Sequence, residues 1–129
     1  MVEIMEANGV SLVDDDDFVM LAFEEVDECG DLLRYATLTG SNLGDSEIDF
    51  EYNDQINSCQ IGDIHSVSVS SGIVSFVFDI KANICSGTVE SPVNVRIDEL
   101  CVRFGLDYQE LVESTITRIL KGRTNPTIN

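Results

Sequence analysis

The sequence predicts an α+β domain: an antiparallel sheet of about six strands built from hairpins, with a C-terminal helix packed on one face. Three observations carry that prediction. Apolar and polar residues alternate at period two through several separate segments, as in half-buried strands. Ser71-Gly72 stands between two of those segments, as a two-residue hairpin turn would. A single stripe at helical spacing occurs, near the C-terminus, in "LDYQELVESTITRILKG".

Taken in order, "EIMEANGVSLV" places Asn8-Gly9 between apolar pairs, a short-range hairpin signal that predicts pairing of the two flanking strands. "DDDD", Asp14 to Asp17, separates them from "FVMLAFEE", a β-rich run bounded by acid. "LLRYATLTG" sets Leu33, Tyr35 and Thr37 on one side and Arg34, Ala36 and Leu38 on the other. "GSNLGDS" is a loop by composition. In "SEIDFEYN", Ile48, Phe50 and Tyr52 face one way and Glu47, Asp49 and Glu51 the other. Those carboxylates form a stripe with a repeat of roughly 6.6 Å.

In "IHSVSVSSGIVSFVFDI" the turn sets the register. Ser70 opposite Ile73 puts Val69 opposite Val74, Val67 opposite Phe76, and His65 opposite Phe78 on the apolar side. "SPVNVRIDELCVRF" alternates at Val93, Val95 and Ile97 and again at Leu100, Val102 and Phe104. Its phase slips between Asp98 and Glu99, as at a bulge or a helical turn. The helix then begins, with Asp107 as cap and Glu110 three residues on, a capping-box pair. Tyr108, Leu111, Val112, Thr115, Ile116, Ile119 and Leu120 share one face. Arg118 and Lys121 suit the negative end of the helix dipole, and Gly122 suits its stop.

A chain of 129 residues, 43% of them hydrophobic, has the length and material for one core. The reading is one domain over residues 1–122 with a loose tail at 123–129. "MVEIMEANGV" carries acid where a signal peptide carries base, and no apolar run approaches the roughly 20 residues of a membrane span. A cytoplasmic protein without a membrane partner is expected.

Charge is unevenly placed. There are 24 acids against 7 bases, a net of −17. Residues 1–80 hold 18 acids and one base, Arg34, whereas residues 81–129 hold six of each. Phosphates repel such a surface, so no nucleic-acid partner is expected. Confining the excess to one segment adds self-repulsion that even mixing would avoid, which points to a basic protein partner.

Four cysteines, Cys29, Cys59, Cys85 and Cys101, lie far apart without a C-x-x-C pair, and His65 is the one histidine. Zinc sites bring ligands in close pairs, so reduced, mostly buried thiols are expected and no metal. The carboxylates of "DDDDF" and "FEEVDECGD" lack the spacing of a twelve-residue calcium loop. A Cys59–His65 nucleophile finds no basic surroundings to lower the thiol pKa. No catalytic residue, cofactor or enzymatic activity is expected.

The run of "ANGVSLVDDDDFVMLAF", "IDFEYNDQINSCQIGDIHSVSVSSGIVSFVFDI" and "VRFGLDYQELVESTITRIL" resembles the immunity protein 10 family of bacterial polymorphic toxin systems. The most specific piece is "YNDQINSCQIGDIHSV", similar to that family's strand, amide-rich turn and following strand. The resemblance implies a small cytoplasmic protein that neutralises a cognate toxin domain by occluding its active or substrate-binding site. The acidic segment adds that this toxin is basic, a nuclease for example. The candidate contact residues are Asp14, Asp15, Asp16, Asp17, Glu24, Glu25, Asp27, Glu28, Glu47, Asp49 and Glu51, with Asn53, Asp54, Gln55 and Asn57 of the amide-rich turn. Those amides serve either to recognise a partner or to satisfy the turn itself. An acidic adaptor or structural protein binding another basic partner is the alternative.

Overall fold

The structure, a computed structural model, describes residues 2–42, 48–53, 58–60, 64–78, 85–86, 98–121 and 127–128. Among them the chain runs β1 (Val2–Glu6), β2 (Gly9–Asp14), β3 (Phe18–Val26), β4 (Leu32–Ser41), β5 (Ile48–Asn53), β6 (Ser58–Gln60), β7 (Ile64–Ser70), β8 (Ile73–Phe78), β9 (Cys85–Ser86), β10 (Glu99–Arg103), a 3-10 turn (Leu106–Tyr108), α1 (Gln109–Leu120) and β11 (Thr127–Ile128). It is mostly sheet with one helix near the C-terminus.

The strands form two sheets, correcting the expectation of one. The front sheet has the order β2-β3-β4-β5-β6-β9, and the back sheet the order β1-β10-β8-β7-β11. Each holds four long strands, with the two- and three-residue pieces at one edge. The front sheet is antiparallel throughout, but β1 lies parallel to β10, and β11 parallel to β7. Thr127–Ile128, within the expected loose tail, therefore pair with Ser66 and Val67.

The split begins at Asn8. The Ala7 N–H donates to Arg103 O at 2.8 Å in the back sheet, and the next N–H, of Asn8, donates to Glu24 O at 3.0 Å in the front sheet. The Asn8 side chain pairs with the Val26 backbone, Nδ2 donating to its carbonyl (2.9 Å) and Oδ1 accepting from its N–H (3.0 Å). Asn8-Gly9 is thus a crossing between sheets and not a hairpin turn. A type I′ turn needs positive φ at both central residues, and among the described glycines only Gly30 and Gly72 have it.

The β7–β8 hairpin does form at Ser71-Gly72, with Gly72 at φ 75° and the register Ser70↔Ile73, Val69↔Val74, Val67↔Phe76. Beyond Ser66 the register shifts, so Ile64 and not His65 stands opposite Phe78. The extra residue turns His65 out to solvent and Ile64 into the core.

Strand alternation builds the core as expected elsewhere. Val19, Leu21 and Phe23 of β3, Ala36 and Leu38 of β4, and Phe50 and Tyr52 of β5 are buried beneath the front sheet. Val67, Val74, Phe76, Phe78, Leu100 and Val102 meet them from the back sheet, in one cluster. Aromatic contacts join the layers: the Phe50 ring lies 4.8 Å from that of Phe76 and 5.3 Å from that of Phe78, within the favourable range for aromatic pairs.

The helix buries Val112, Thr115, Ile116, Ile119 and Leu120, most of the predicted stripe. Its start differs from expectation. A 3-10 turn occupies Leu106–Tyr108, Tyr108 takes the N-cap position, and no side chain caps it, so Asp107 and Glu110 form no capping box. Instead Gln109 Oε1 accepts the Gly72 N–H at 2.8 Å, tying the helix start to the hairpin tip. The alternation at Val93, Val95 and Ile97 and the Gly122 stop lie outside the described residues; at the expected phase slip, Asp98 precedes the start of β10 at Glu99 and its carbonyl accepts the Phe78 N–H at 3.0 Å.

Candidate protein-recognition surface

The outward residues of the front sheet fall into rows set by strand register. Val13, Met20, Thr39 and Asp49 lie side by side across β2 to β5. Ser11, Ala22, Thr37 and Glu51 form the next row, and Glu24, Tyr35 and Asn53 the one beyond it. Val13 is 40% exposed, and Met20, Thr37 and Thr39 are partly exposed. The Tyr35 hydroxyl donates to Glu51 Oε1 at 2.8 Å. That hydrogen bond to a carboxylate, with partial burial and the carboxylate's charge, holds the phenol pKa above its ordinary value.

The predicted acidic residues do not gather into one patch. Asp15, Asp16 and Asp17 sit in the β2–β3 turn, where the Asp16 N–H donates to Asp15 Oδ1 (2.6 Å) and Asn42 ties down the carbonyls of Asp15 and Asp17. Asp27 and Glu28 sit in the β3–β4 turn, at the other end of β3. There Asp27 Oδ1 accepts the N–H groups of Cys29 (2.8 Å) and Asp31 (3.0 Å) and so shapes the turn. Nine residues of β3 separate these groups by about 30 Å. Glu24, Asp49 and Glu51 lie between them on the outward face, with Asn53 at the end of β5. Glu47, Asp54, Gln55 and Asn57 lie outside the described residues.

Two predicted contact residues are paired with arginines within the fold. Asp14 receives both terminal nitrogens of Arg118 from α1, at 2.7 and 3.0 Å. The hydrogen bond from Arg118 is the main cause that holds its carboxyl below the ordinary range. Glu25 points inward, Oε2 accepting from Arg34 Nε (3.1 Å) and Oε1 from the Glu6 N–H (2.8 Å).

Arg34 also reaches Glu3 of β1 at 3.1 Å, so the single base of the first 80 residues bridges the two sheets. Burial disfavours its charge, but the hydrogen bond to Glu25 and the neighbouring Tyr52 outweigh that and hold the guanidinium protonated. This strut was missed as a functional element of the sequence, although a signal existed: Arg34 shares its phase with Ala36 and Leu38, the buried side of β4.

The charge balance of the surface follows. Arg103 pairs with Glu6 at 3.1 Å, Arg118 with Asp14, and Arg34 with Glu3 and Glu25. Among the described residues, Asp15–Asp17, Glu24, Asp27, Glu28, Asp31, Asp49 and Glu51 face no ion-pair partner. These acids consequently lie at both ends of the front sheet and along β5, around an uncharged middle.

Other chemistry finds less support. Cys59 lies in β6 of the front sheet and His65 in β7 of the back sheet, so they belong to separate layers. No group of three or more His, Cys, Asp and Glu side chains converges to hold a metal among the described residues. No described helix is long and apolar enough to cross a membrane. Cys29 is exposed and Cys101 partly so, its Sγ 3.4 Å from Ser75 Oγ, against the expectation that the thiols are mostly buried. A cleft of about 480 Å³ beside the β7–β8 turn includes Glu6, Gly72, Arg103 and Leu106 in its lining, and its charges, Glu6 and Arg103, are paired with each other. Searches against protein-family models, curated proteins and solved structures found no match to this chain.

Proposed function

We propose that this chain is an immunity protein: it binds a cognate bacterial toxin domain that carries a basic surface and neutralises it by covering its active or substrate-binding site. The observation that carries the reading is the anionic front of the molecule. Its acids are left without described ion-pair partners because the described arginines are spent on struts between elements. The family resemblance supplies the biological setting, and the charge supplies the character of the partner. Neutralisation by occlusion asks for a rigid, complementary surface and no catalytic group, and a sheet face meets that requirement.

The test is co-expression. The toxin domain encoded immediately upstream of this chain should arrest growth when produced alone and be silenced when this chain is produced with it. The two should then co-purify as a stable complex. Growth arrest unrelieved by this chain, or an upstream gene with no toxic domain, would contradict the proposal.

A further inference from the structure

Resting on the reading above, we propose where and how the partner docks. The outward face of the front sheet is the contact surface, its uncharged centre receives an apolar or aromatic anchor, and its acidic border receives Lys and Arg. The centre consists of Val13, Met20, Thr37 and Thr39 around the buried Ala22, adjacent through strand register and without a charge among them. Acid borders it on three sides: Asp15–Asp17 at one end of β3, Asp27, Glu28 and Asp31 at the other, and Asp49 with Glu51 along β5. A neutral centre within a charged rim is the usual anatomy of a specific protein interface.

Three further observations favour this face. Its four long strands, of 6, 9, 10 and 6 residues and about 4.8 Å apart, give a footprint of about 500 Å² before the turns are added, more than half of the roughly 800 Å² per partner of a standard interface. Tyr35 is already tied to Glu51, so less side-chain freedom is lost when a partner settles there. The outward face of the back sheet has a different character: Ser68 and Ser75 share a row with Cys101 and Ile4, Ser66 shares the next with Val77, Glu99 and Val2, and Arg103 is matched by Glu6. A second copy of this chain would bring the same acids against each other, whereas a basic domain would neutralise them.

The centre and the rim should act on different rates. The probe is the upstream toxin domain carrying an inactivating substitution, with binding followed by stopped flow and surface plasmon resonance. Thr37→Arg, at the centre, should raise the dissociation rate about tenfold or more while association changes about threefold or less. Replacing Asp15, Asp16 and Asp17 together by Ser should slow association about fivefold at low salt and leave dissociation nearly unchanged. Ser68→Arg, on the back sheet, should alter neither. Each variant is checked by its thermal melt, and Thr39→Arg replaces Thr37→Arg if the latter fails to fold.

If Ser68→Arg and not the centre variants speeds dissociation, the docking face is wrong while the immunity reading stands. If the wild-type chain does not bind the toxin domain, the immunity reading fails and the docking proposal with it. Self-association of the free chain that Thr37→Arg abolishes would show that a second copy occupies the face, and would also overturn the proposal.

Discussion

Arg34 illustrates how one side chain can hold two layers. Its guanidinium spans Glu25 of the front sheet and Glu3 of the back sheet. Removing it strands two carboxylates that are only 15% and 29% exposed. A fully buried pair loses about 3–5 kcal/mol when one partner is deleted, and water still reaches this one, so Arg34→Met should cost about 1–2 kcal/mol in urea unfolding. An unchanged midpoint would remove the strut from the account. Tyr35 makes a second prediction. Because Glu51 raises its pKa in the folded state, the stabilisation from that bond is full below about pH 10 and fades as pH rises through the higher folded value. Tyr35→Phe should lose about 0.5–1.5 kcal/mol at neutral pH and show a smaller loss on going to strongly alkaline pH than the parent. Parallel pH profiles for the two proteins would contradict this assignment.

At the scale of elements, β4 and α1 pack closely at Gly40. A Cβ added at Gly40 would stand 2.9 Å from Ile119 Cγ2, closer than side chains pack. Gly40→Ala should therefore destabilise by about 1–3 kcal/mol, and Ile119→Ala by about 2–5 through its cavity. The double variant should cost clearly less than the two together, because the new methyl enters space that Ile119 vacates. Strict additivity in a double-mutant cycle would mean that the helix sits elsewhere. The elements most legible in the sequence were those where two signals agreed. For β7–β8, the Ser71-Gly72 turn and the apolar alternation specify one register, and it is the observed one as far as Ser66. The bulge at His65 left no trace in that pattern, since one inserted residue changes which side chain faces inward without changing composition. Asn8-Gly9 misled because apolar pairs around a turn dipeptide look alike whether the strands pair with each other or part into different sheets. What decides is the Asn8 amide bonded to Val26, a contact across 18 residues that local pattern does not contain. The missing helix cap has a similar cause: the Gly72–Gln109 hydrogen bond accompanies a 3-10 start that Asp107 alone would not suggest.

On the scale of the whole molecule, the sequence made the acid excess plain and the fold decides where it is felt. Glu25 and Asp14 read as surface acids like their neighbours, yet each is matched to an arginine remote in sequence or across a hairpin. The neutral centre of the front sheet was hidden for the opposite reason. Val13, Met20 and Thr37 come from three separate segments and become neighbours only through strand register. What remains is a front whose charge acts at a distance. Complementary charge of this kind can lift association to about 10⁸ M⁻¹s⁻¹ at low salt, against about 10⁵–10⁶ M⁻¹s⁻¹ for neutral pairs. Screening shortens its reach to about 8 Å at physiological ionic strength. The central claim, capture of a basic toxin by an acidic sheet, is therefore tested most directly by the association rate with the isolated toxin domain as salt is raised. The account predicts a fall of about tenfold or more between 20 and 300 mM salt, with dissociation changing far less. An association rate that stays flat across that range would contradict it.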